Sequence, residues 1–155
     1  MWIKNVLLCV GVALAALGAQ AQTKAPAAGA AATIGYVKTV KGEAFVDSGG
    51  QAIKAVEGTP LKVGDVVRTG ANGSAGITLK DNTVMSFGPS TRFTLEEYLF
   101  APAKGDLKLG GRLASGSLHY VSGLIAKAKP EAVNVKTPTG TIGVRGTRFV
   151  AVVAP

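Results

Sequence analysis

The sequence predicts an all-β domain of about nine to eleven short strands, built as a β-solenoid or roll, or as a sandwich-like or barrel fold. Turn signals rich in Gly, Asp, Asn and Pro recur roughly every ten residues after Ile34, a rhythm typical of all-β chains. The segments between these turns are short, and several of them alternate apolar with polar residues. None carries the long apolar stripe of an amphipathic helix, so the pattern favours strands.

Four segments predict which side chains face the core. Residues two apart on a strand point to the same side of the sheet, so an alternating segment has one buried face. The residues predicted to face inward are Ala75, Ile77 and Leu79; Phe93 and Leu95; Val133 and Val135; and Phe149, Ala151 and Val153.

Two local features interrupt these strands. Asp81-Asn82 separates two β-rich segments, and both residue types tolerate the positive φ of a type I′ turn, which predicts a two-residue hairpin. Residues 122–129 predict at most one helical turn, with Leu124 and Ile125 facing inward, and Pro130 ends it.

The first 21 residues have the pattern of a secretory signal peptide. Lys4 precedes an apolar run from Val6 to Leu17, and small residues before Gln22 predict cleavage between Ala21 and Gln22. The run is shorter than the roughly 20 apolar residues that a membrane-spanning helix needs. We therefore expect a cleavable signal helix, a periplasmic or secreted protein, and no transmembrane segment after cleavage.

The remaining chain divides into a linker and one domain. Residues 22–33 are rich in Ala, Pro and Gly and have no apolar stripe, which predicts a flexible linker before a β domain at 34–153. The single cysteine, Cys9, lies in the predicted signal peptide. The exported domain is therefore expected to contain no disulfide, thiol nucleophile or cysteine-based metal site.

Positive charge is concentrated in the last third of the chain. The protein carries a formal net charge of +8, and between Lys104 and Pro155 the only acidic residues are Asp106 and Glu131. The simpler interpretation of this excess charge is a solvated surface that keeps the protein soluble. The more specific interpretation is a binding surface for an anionic partner. Nucleic acid is not an expected partner of an exported protein.

Four basic residues are the candidate binding residues of that surface: Arg145, Arg148, Lys136 and Arg112. Arg145 and Arg148 are three residues apart, so a regular strand would place them on opposite sides. A bulge at Gly146 would bring them to the same side, where two guanidinium groups can bind a carboxylate or phosphate.

No constellation of residues predicts catalysis, a metal site or a cofactor. His119 and Ser117 are two apart on a predicted strand, about 6.5–7 Å, which exceeds the roughly 2.6–3.2 Å of a nucleophile–base pair. Glu96 and Glu97 are adjacent and are predicted to face opposite sides. The remaining aspartates lie at turns, where local hydrogen bonding accounts for them. The sequence therefore predicts a protein that is not an enzyme.

Three segments together resemble the periplasmic domain of the FecR-like family, in its secreted, stand-alone branch. Residues 61–70 (LKVGDVVRTG) are similar to the pattern L-x-x-G-D-x-[hydrophobic]-x-T-G. Residues 73–83 (GSAGITLKDNT) are similar to the pattern S-x-A-x-[hydrophobic]-x-L-x-D-G-T. Residues 137–149 (TPTGTIGVRGTRF) are similar to the pattern T-P-x-[small]-x-[hydrophobic]-x-V-R-G-T-x-F. The resemblance extends from about Ile34 to Val153.

The matching motif positions are interpreted first as structural. They are Gly64, Asp65, Thr69, Gly70, Asp81, Gly146, Thr147 and Phe149. Gly64-Asp65 suits a tight turn in which the carboxylate accepts backbone N–H groups, and Thr69-Gly70 ends the next strand. The Thr147 hydroxyl is expected to bond to backbone at the bend.

The resemblance implies an envelope protein that functions by binding. We expect a non-enzymatic module that docks another envelope protein or an anionic envelope polymer. The alternative is an assembly subunit, such as that of a homo-oligomer, that pairs through an open edge at residues 149–153, because the chain stops at Pro155 right after the final strand. A role in an iron-responsive signalling relay, which some relatives have, is less expected because only a cleavable signal, and no spanning segment, precedes the domain.

Overall fold

The computed structural model describes residues 31–146 and 148–154. The predicted signal peptide, the Ala21–Gln22 cleavage site, most of the predicted linker and Thr147 lie outside these residues. Within them the chain is nearly all β, which confirms the predicted fold class. In this part of the chain, no helix has both the length and the apolar character needed to cross a bilayer.

The structure contains twelve strands, one more than the upper end of the predicted range, and one short helix. The strands are β1 (Gly35–Lys41), β2 (Ala44–Ser48), β3 (Gln51–Lys54), β4 (Pro60–Leu61), β5 (Val66–Thr69), β6 (Ser74–Leu79), β7 (Val84–Phe87), β8 (Arg92–Ala101), β9 (Asp106–Val121), β10 (Val133–Thr137), β11 (Gly140–Gly143) and β12 (Arg148–Val153). The helix α1 is Leu124–Ala128, and 3₁₀ turns cover Pro102–Lys104 and Pro130–Ala132.

All twelve strands belong to one curled sheet whose two halves share β9. In half I the strand order is β4-β1-β6-β7-β9-β12, and in half II it is β3-β2-β5-β8-β9-β10-β11. Every pair is antiparallel except β9 with β10. The first part of β9 pairs with β8 and β10, and the last part pairs with β7 and β12.

The alternating residues form the core as predicted. Ala75, Ile77, Leu79, Phe93, Leu95, Val133 and Val135 are at most 4% exposed. They pack in one cluster with larger side chains from both halves of the sheet, including Tyr120, Phe87 and Leu61. On β12, Ala151 is buried and its two alternating neighbours pack half-buried against the cluster.

The predicted two-residue hairpin at Asp81-Asn82 is wrong in its turn type. Asn82 has φ 65°, but Asp81 does not have a positive φ. The Asn82 N–H donates to the Leu79 carbonyl, and the Leu79 N–H donates to Thr83. This arrangement matches a three-residue loop that ends in a left-handed residue. The Asp81 side chain instead accepts hydrogen bonds from Thr83 and Tyr98.

The sheet changes from half I to half II at a corner beside Gly116. β7 and β8 pair with the same edge of β9, and the pairing breaks where residues 88–91 meet Gly116. Gly116 has φ 87°, and a Cβ on it would overlap Oγ1 and Cα of Thr91. Only glycine therefore fits this position without moving the backbone.

Two buried threonines satisfy the backbone groups at this corner. The Thr91 hydroxyl accepts the Ser117 N–H at 3.0 Å and donates to the Gly88 carbonyl at 2.8 Å. The Thr69 hydroxyl accepts the Thr91 N–H at 2.9 Å and also donates to Gly88, at 2.6 Å. Buried backbone groups left without partners would be costly, so these hydroxyls stabilise the break in pairing.

A second polar network is centred on the fully buried Asp81. One carboxylate oxygen accepts the Thr83 hydroxyl at 2.6 Å and the Ile125 N–H at 3.3 Å. The other accepts the Tyr98 hydroxyl at 3.1 Å, and that same hydroxyl accepts the Asp81 N–H at 2.9 Å. Burial, and next the Asp81 charge, raise the pKa of Tyr98, so its hydroxyl stays protonated as a donor. Asp81 thereby connects β8 to the start of α1.

Gly116→Ala tests the corner. We expect it to lower the free energy of unfolding by about 3 kcal/mol or more, because it adds a clash with Thr91 to the backbone strain of a positive φ. The matched control is Gly105→Ala, where φ is 73° but no atom lies within 4 Å of the added Cβ. Because only backbone strain acts there, we expect the free energy of unfolding to fall by about 1–2 kcal/mol. Urea unfolding measures both, and equal losses would contradict the role of the corner.

Tyr98→Phe tests the Asp81 network. Loss of the hydroxyl leaves the buried carboxylate and the Asp81 N–H short of a partner, which should destabilise the fold by about 1–3 kcal/mol. Tyr120→Phe is the control, because the buried Tyr120 hydroxyl lies near Thr83 and Ser122 but makes no hydrogen bond of good geometry to a described residue. We expect its effect to stay below about 0.5 kcal/mol. Thermal or urea unfolding that ranks the two variants in the reverse order would contradict this assignment.

Candidate functional site

Two of the four candidate binding residues share one carboxylate, that of Glu96. Arg112 on β9 and Lys136 on β10 are register partners. The Arg112 Nε lies 2.7 Å from Glu96 Oε1, and the Lys136 Nζ lies 2.9 Å from Glu96 Oε2. The bond from Lys136, followed by that from Arg112, lowers the pKa of Glu96, which therefore stays ionised.

Adjacent charges on half II are also paired. A bulge between Leu95 and Glu97 shifts the register of β8. It turns both Glu96 and Glu97 outward, where Glu97 contacts Lys108 at 2.9 Å. The prediction that these two glutamates face opposite sides is therefore wrong, because the extra residue of a bulge breaks the alternation.

A fourth ion pair lies farther along the outer face of half II. Arg68 donates two hydrogen bonds to Asp47, at 2.6 and 2.8 Å, and these lower the pKa of Asp47. Arg68 also lies over the Phe45 ring at 5.7 Å from its centroid. Basic residues on this face are thus largely compensated by neighbouring carboxylates and an aromatic ring.

The other two candidates lie together where β11 leads into β12. Arg145 is on the connection and Arg148 is the first residue of β12, and we call this segment the Arg145–Arg148 loop. Both line one cleft of about 110 Å³ with Ile142 and Phe149. Gly146 between them has a positive φ of 151°. Both side chains are exposed, and within residues 31–146 and 148–154 neither is in an ion pair.

The loop that carries these arginines is anchored on β9. The Ser122 hydroxyl donates to the Gly146 carbonyl at 2.6 Å. Val144 is buried, and Phe149 stacks on Tyr120 with ring centroids 4.9 Å apart. The backbone at the bend is therefore held in place while both guanidinium groups remain accessible to a partner.

The structural motif residues fall into two groups: Gly64, Asp65, Thr69, Gly70 and Asp81 do not line this cleft, whereas Gly146 and Phe149 do. Gly64 has φ 92° and Asp65 accepts the Lys62 N–H at 2.9 Å, which confirms the predicted tight turn. Thr69 ends β5 as predicted, and the Gly70 N–H donates to the Glu43 carbonyl at 2.8 Å. The sequence did not indicate the tertiary roles of Thr69 and Asp81, since their partners lie 19 and 17 residues away.

His119 does not line the cleft that Arg145 and Arg148 share. His119 is half-buried on β9, where its register partners are Ser86 and Val150. In the part of the chain that the structure describes, no three His, Cys, Asp or Glu residues lie close enough together to hold a metal ion. The arrangement found in the cleft, two accessible guanidinium groups on a fixed backbone, is suited to binding an anionic group.

Comparison with known proteins identifies one family. The FecR family, described as FecR protein, matches residues 65–154, which is more than half of the chain. This region covers β5 to β12, including the Arg145–Arg148 loop. No curated protein and no solved structure matches the chain. A FecR domain indicates an envelope-associated domain of the signalling or regulatory type, and such domains generally mediate protein interactions. The chain belongs to the FecR family.

Proposed function

We propose that this protein is an exported, non-enzymatic binding module of the cell envelope, and that it docks an acidic partner on the Arg145–Arg148 loop. The observation that carries the proposal is that these two arginines share one cleft and have no carboxylate partner among the described residues. Export is supported by the signal-peptide pattern of residues 1–21.

The geometry favours binding in two respects. Two guanidinium groups can each donate paired hydrogen bonds to a carboxylate or phosphate. The Gly146 carbonyl is held by Ser122 and the Phe149 ring stacks on Tyr120, and anchoring at these two residues reduces the entropic cost of association. Because both arginines are exposed, the attraction is electrostatic and is expected to weaken as salt rises. An acidic protein segment fits the general role of the family, and an anionic polymer is the other ligand with this chemistry.

The double variant Arg145→Ala/Arg148→Ala tests the site. The probe is poly-L-glutamate, titrated into the full-length chain by calorimetry at low and at physiological salt. We expect the double variant to bind at least about 10-fold more weakly, roughly 1.4 kcal/mol. The matched control, Arg112→Ala/Lys136→Ala, removes the same number of charges from positions paired with Glu96 and should change the affinity less than twofold.

A second control uses the carboxylate itself. Glu96→Gln releases Arg112 and Lys136 and should leave poly-L-glutamate binding unchanged if the Arg145–Arg148 loop is the site. Equal losses in the two double variants, or stronger binding by Glu96→Gln, would assign binding to the outer face of half II instead. Cross-linked capture from the cell envelope, compared between the wild type and Arg145→Ala/Arg148→Ala, then identifies the partner.

A second candidate function is assembly through β12. Among the described residues β12 pairs only with β9, so its other edge has unpaired backbone groups that another strand can join. Its outward-facing residues Val150 and Val152 are 64% and 75% exposed. A cleft of about 290 Å³ separates β12 from the hairpin of β10 and β11.

Assembly predicts an oligomer whose mass in solution does not depend on salt. Val150→Lys/Val152→Lys should convert it to a monomer, because charges on an edge strand oppose strand addition. Ile53→Lys on the exposed strand β3 is the control and should leave the mass unchanged. Light scattering after size-exclusion chromatography measures this, and a monomeric wild type at high protein concentration would contradict assembly.

A further inference from the structure

The β8–β9 hairpin projects beyond its neighbouring strands. β5 pairs with β8 no farther than Thr94, and β10 pairs with β9 no farther than Leu109. From Glu97 to Lys108 the two strands therefore pair only with each other, around the turn at Gly105. A two-stranded ribbon is marginally stable alone, so its inner apolar face needs contacts from elsewhere.

Those contacts are incomplete near the tip. The Tyr98 hydroxyl connects the inner face to Asp81. Beyond Tyr98, the cross-strand partners Phe100 and Leu107 are half-buried. The nearby helix α1 has only five residues; Ile125 is buried in the core, whereas Leu124 is 47% exposed. This exposure corrects the expectation that Leu124 faces inward.

A cleft of about 400 Å³ lies between the ribbon and α1. It is lined by Phe100, Pro102, Leu107, Leu124, Lys127 and Ala128. Its volume lies within the roughly 300–1,000 Å³ of small-molecule sites. Five of the six lining residues are apolar, and the sixth is a cation that forms no ion pair with any residue the structure describes.

We propose that this cleft binds a single-chain anionic amphiphile, such as a fatty-acid carboxylate, that enters as a monomer. The tail lies against Phe100, Leu107 and Leu124, and the anionic head contacts the Lys127 ammonium group. An apolar cleft gains affinity from burial of the tail, and the single lining cation favours a negative head over a neutral or positive one. The nearby acidic residues Asp106 and Glu131 do not line the cleft.

The site is separate from the proposed docking loop. None of the lining residues belongs to the Arg145–Arg148 cleft. The two proposals therefore use different variants, and either one can fail without affecting the other.

The experiment titrates octanoate, decanoate and dodecanoate, below their micellar concentrations, into the full-length chain by calorimetry. We expect saturable binding of one amphiphile per chain, with affinity that rises up to about fourfold for each added methylene. Decyltrimethylammonium, which has a similar tail and a positive head, should bind at least 10-fold more weakly than decanoate.

Variants localise the binding. Leu124→Ser should weaken decanoate binding at least 10-fold, and because this residue is already half exposed, the fold should remain intact by circular dichroism and urea unfolding. Lys127→Gln should weaken decanoate binding at least threefold and leave binding of neutral 1-decanol unchanged. The control is Leu99→Ser, on the outward face of the ribbon, where a leucine of similar exposure (51%) does not line the cleft; it should bind decanoate as the wild type does.

Several results would overturn the proposal. One is the absence of saturable binding, and another is equal affinity in Leu124→Ser and the wild type. Equal binding of decanoate and decyltrimethylammonium would remove the role of Lys127. Binding only to micelles, or to vesicles of phosphatidylglycerol, would assign the surface to a lipid aggregate. A wild-type dimer that dissociates in Leu124→Ser would assign the cleft to a subunit interface.

Discussion

The fold depends on one break in strand pairing, where Thr91 meets Gly116. The 16-residue strand β9 serves both halves of the sheet, and it can do so only if its partners change along its length. The break exposes backbone groups in the interior, and the Thr91 and Thr69 hydroxyls satisfy them. Such buried hydrogen bonds stabilise the fold mainly because they leave no buried polar group without a partner. The sheet can therefore close around one core only if the corner supplies these hydroxyls.

The shared strand also determines where the candidate binding surfaces lie. β9 has partner strands on both edges over much of its length, so it is not an edge strand. The edge strands are β4 and β12 in half I, and β3 and β11 in half II. The Arg145–Arg148 loop is the connection from β11 in half II to β12 in half I. Arg145 lies on this connection and Arg148 begins β12 directly after it, and both side chains are exposed.

Basic residues in the last third of the chain look equivalent in the sequence, but in the folded structure some of them contact a carboxylate and others do not. Arg112 and Lys136 both contact Glu96 across three strands, so one of their two positive charges is compensated locally. Arg145 and Arg148 lie on a connection with no carboxylate beside it among the described residues. Exposed ion pairs contribute little to stability, and their main consequence here is to reduce the number of basic residues available to a partner.

The sequence by itself determined the features that depend on near neighbours along the chain. The alternation of Ile77 with its neighbours, the Gly64-Asp65 turn and the end of the helical turn at Pro130 follow from side-chain geometry and backbone dihedrals. The family motifs were also readable, because they are short contiguous patterns, and the match to residues 65–154 agrees with them.

Only the tertiary structure decided the features that join distant residues. The bulge that turns Glu96 and Glu97 outward together, the buried Asp81 network, the sharing of β9 and the cleft beside α1 all involve partners many residues apart. A period of two predicts which face a side chain occupies, but it contains no information about which strand lies beside it. Strand pairing is set by how both halves of the sheet bury one common core, and so it appears only once the whole chain is folded.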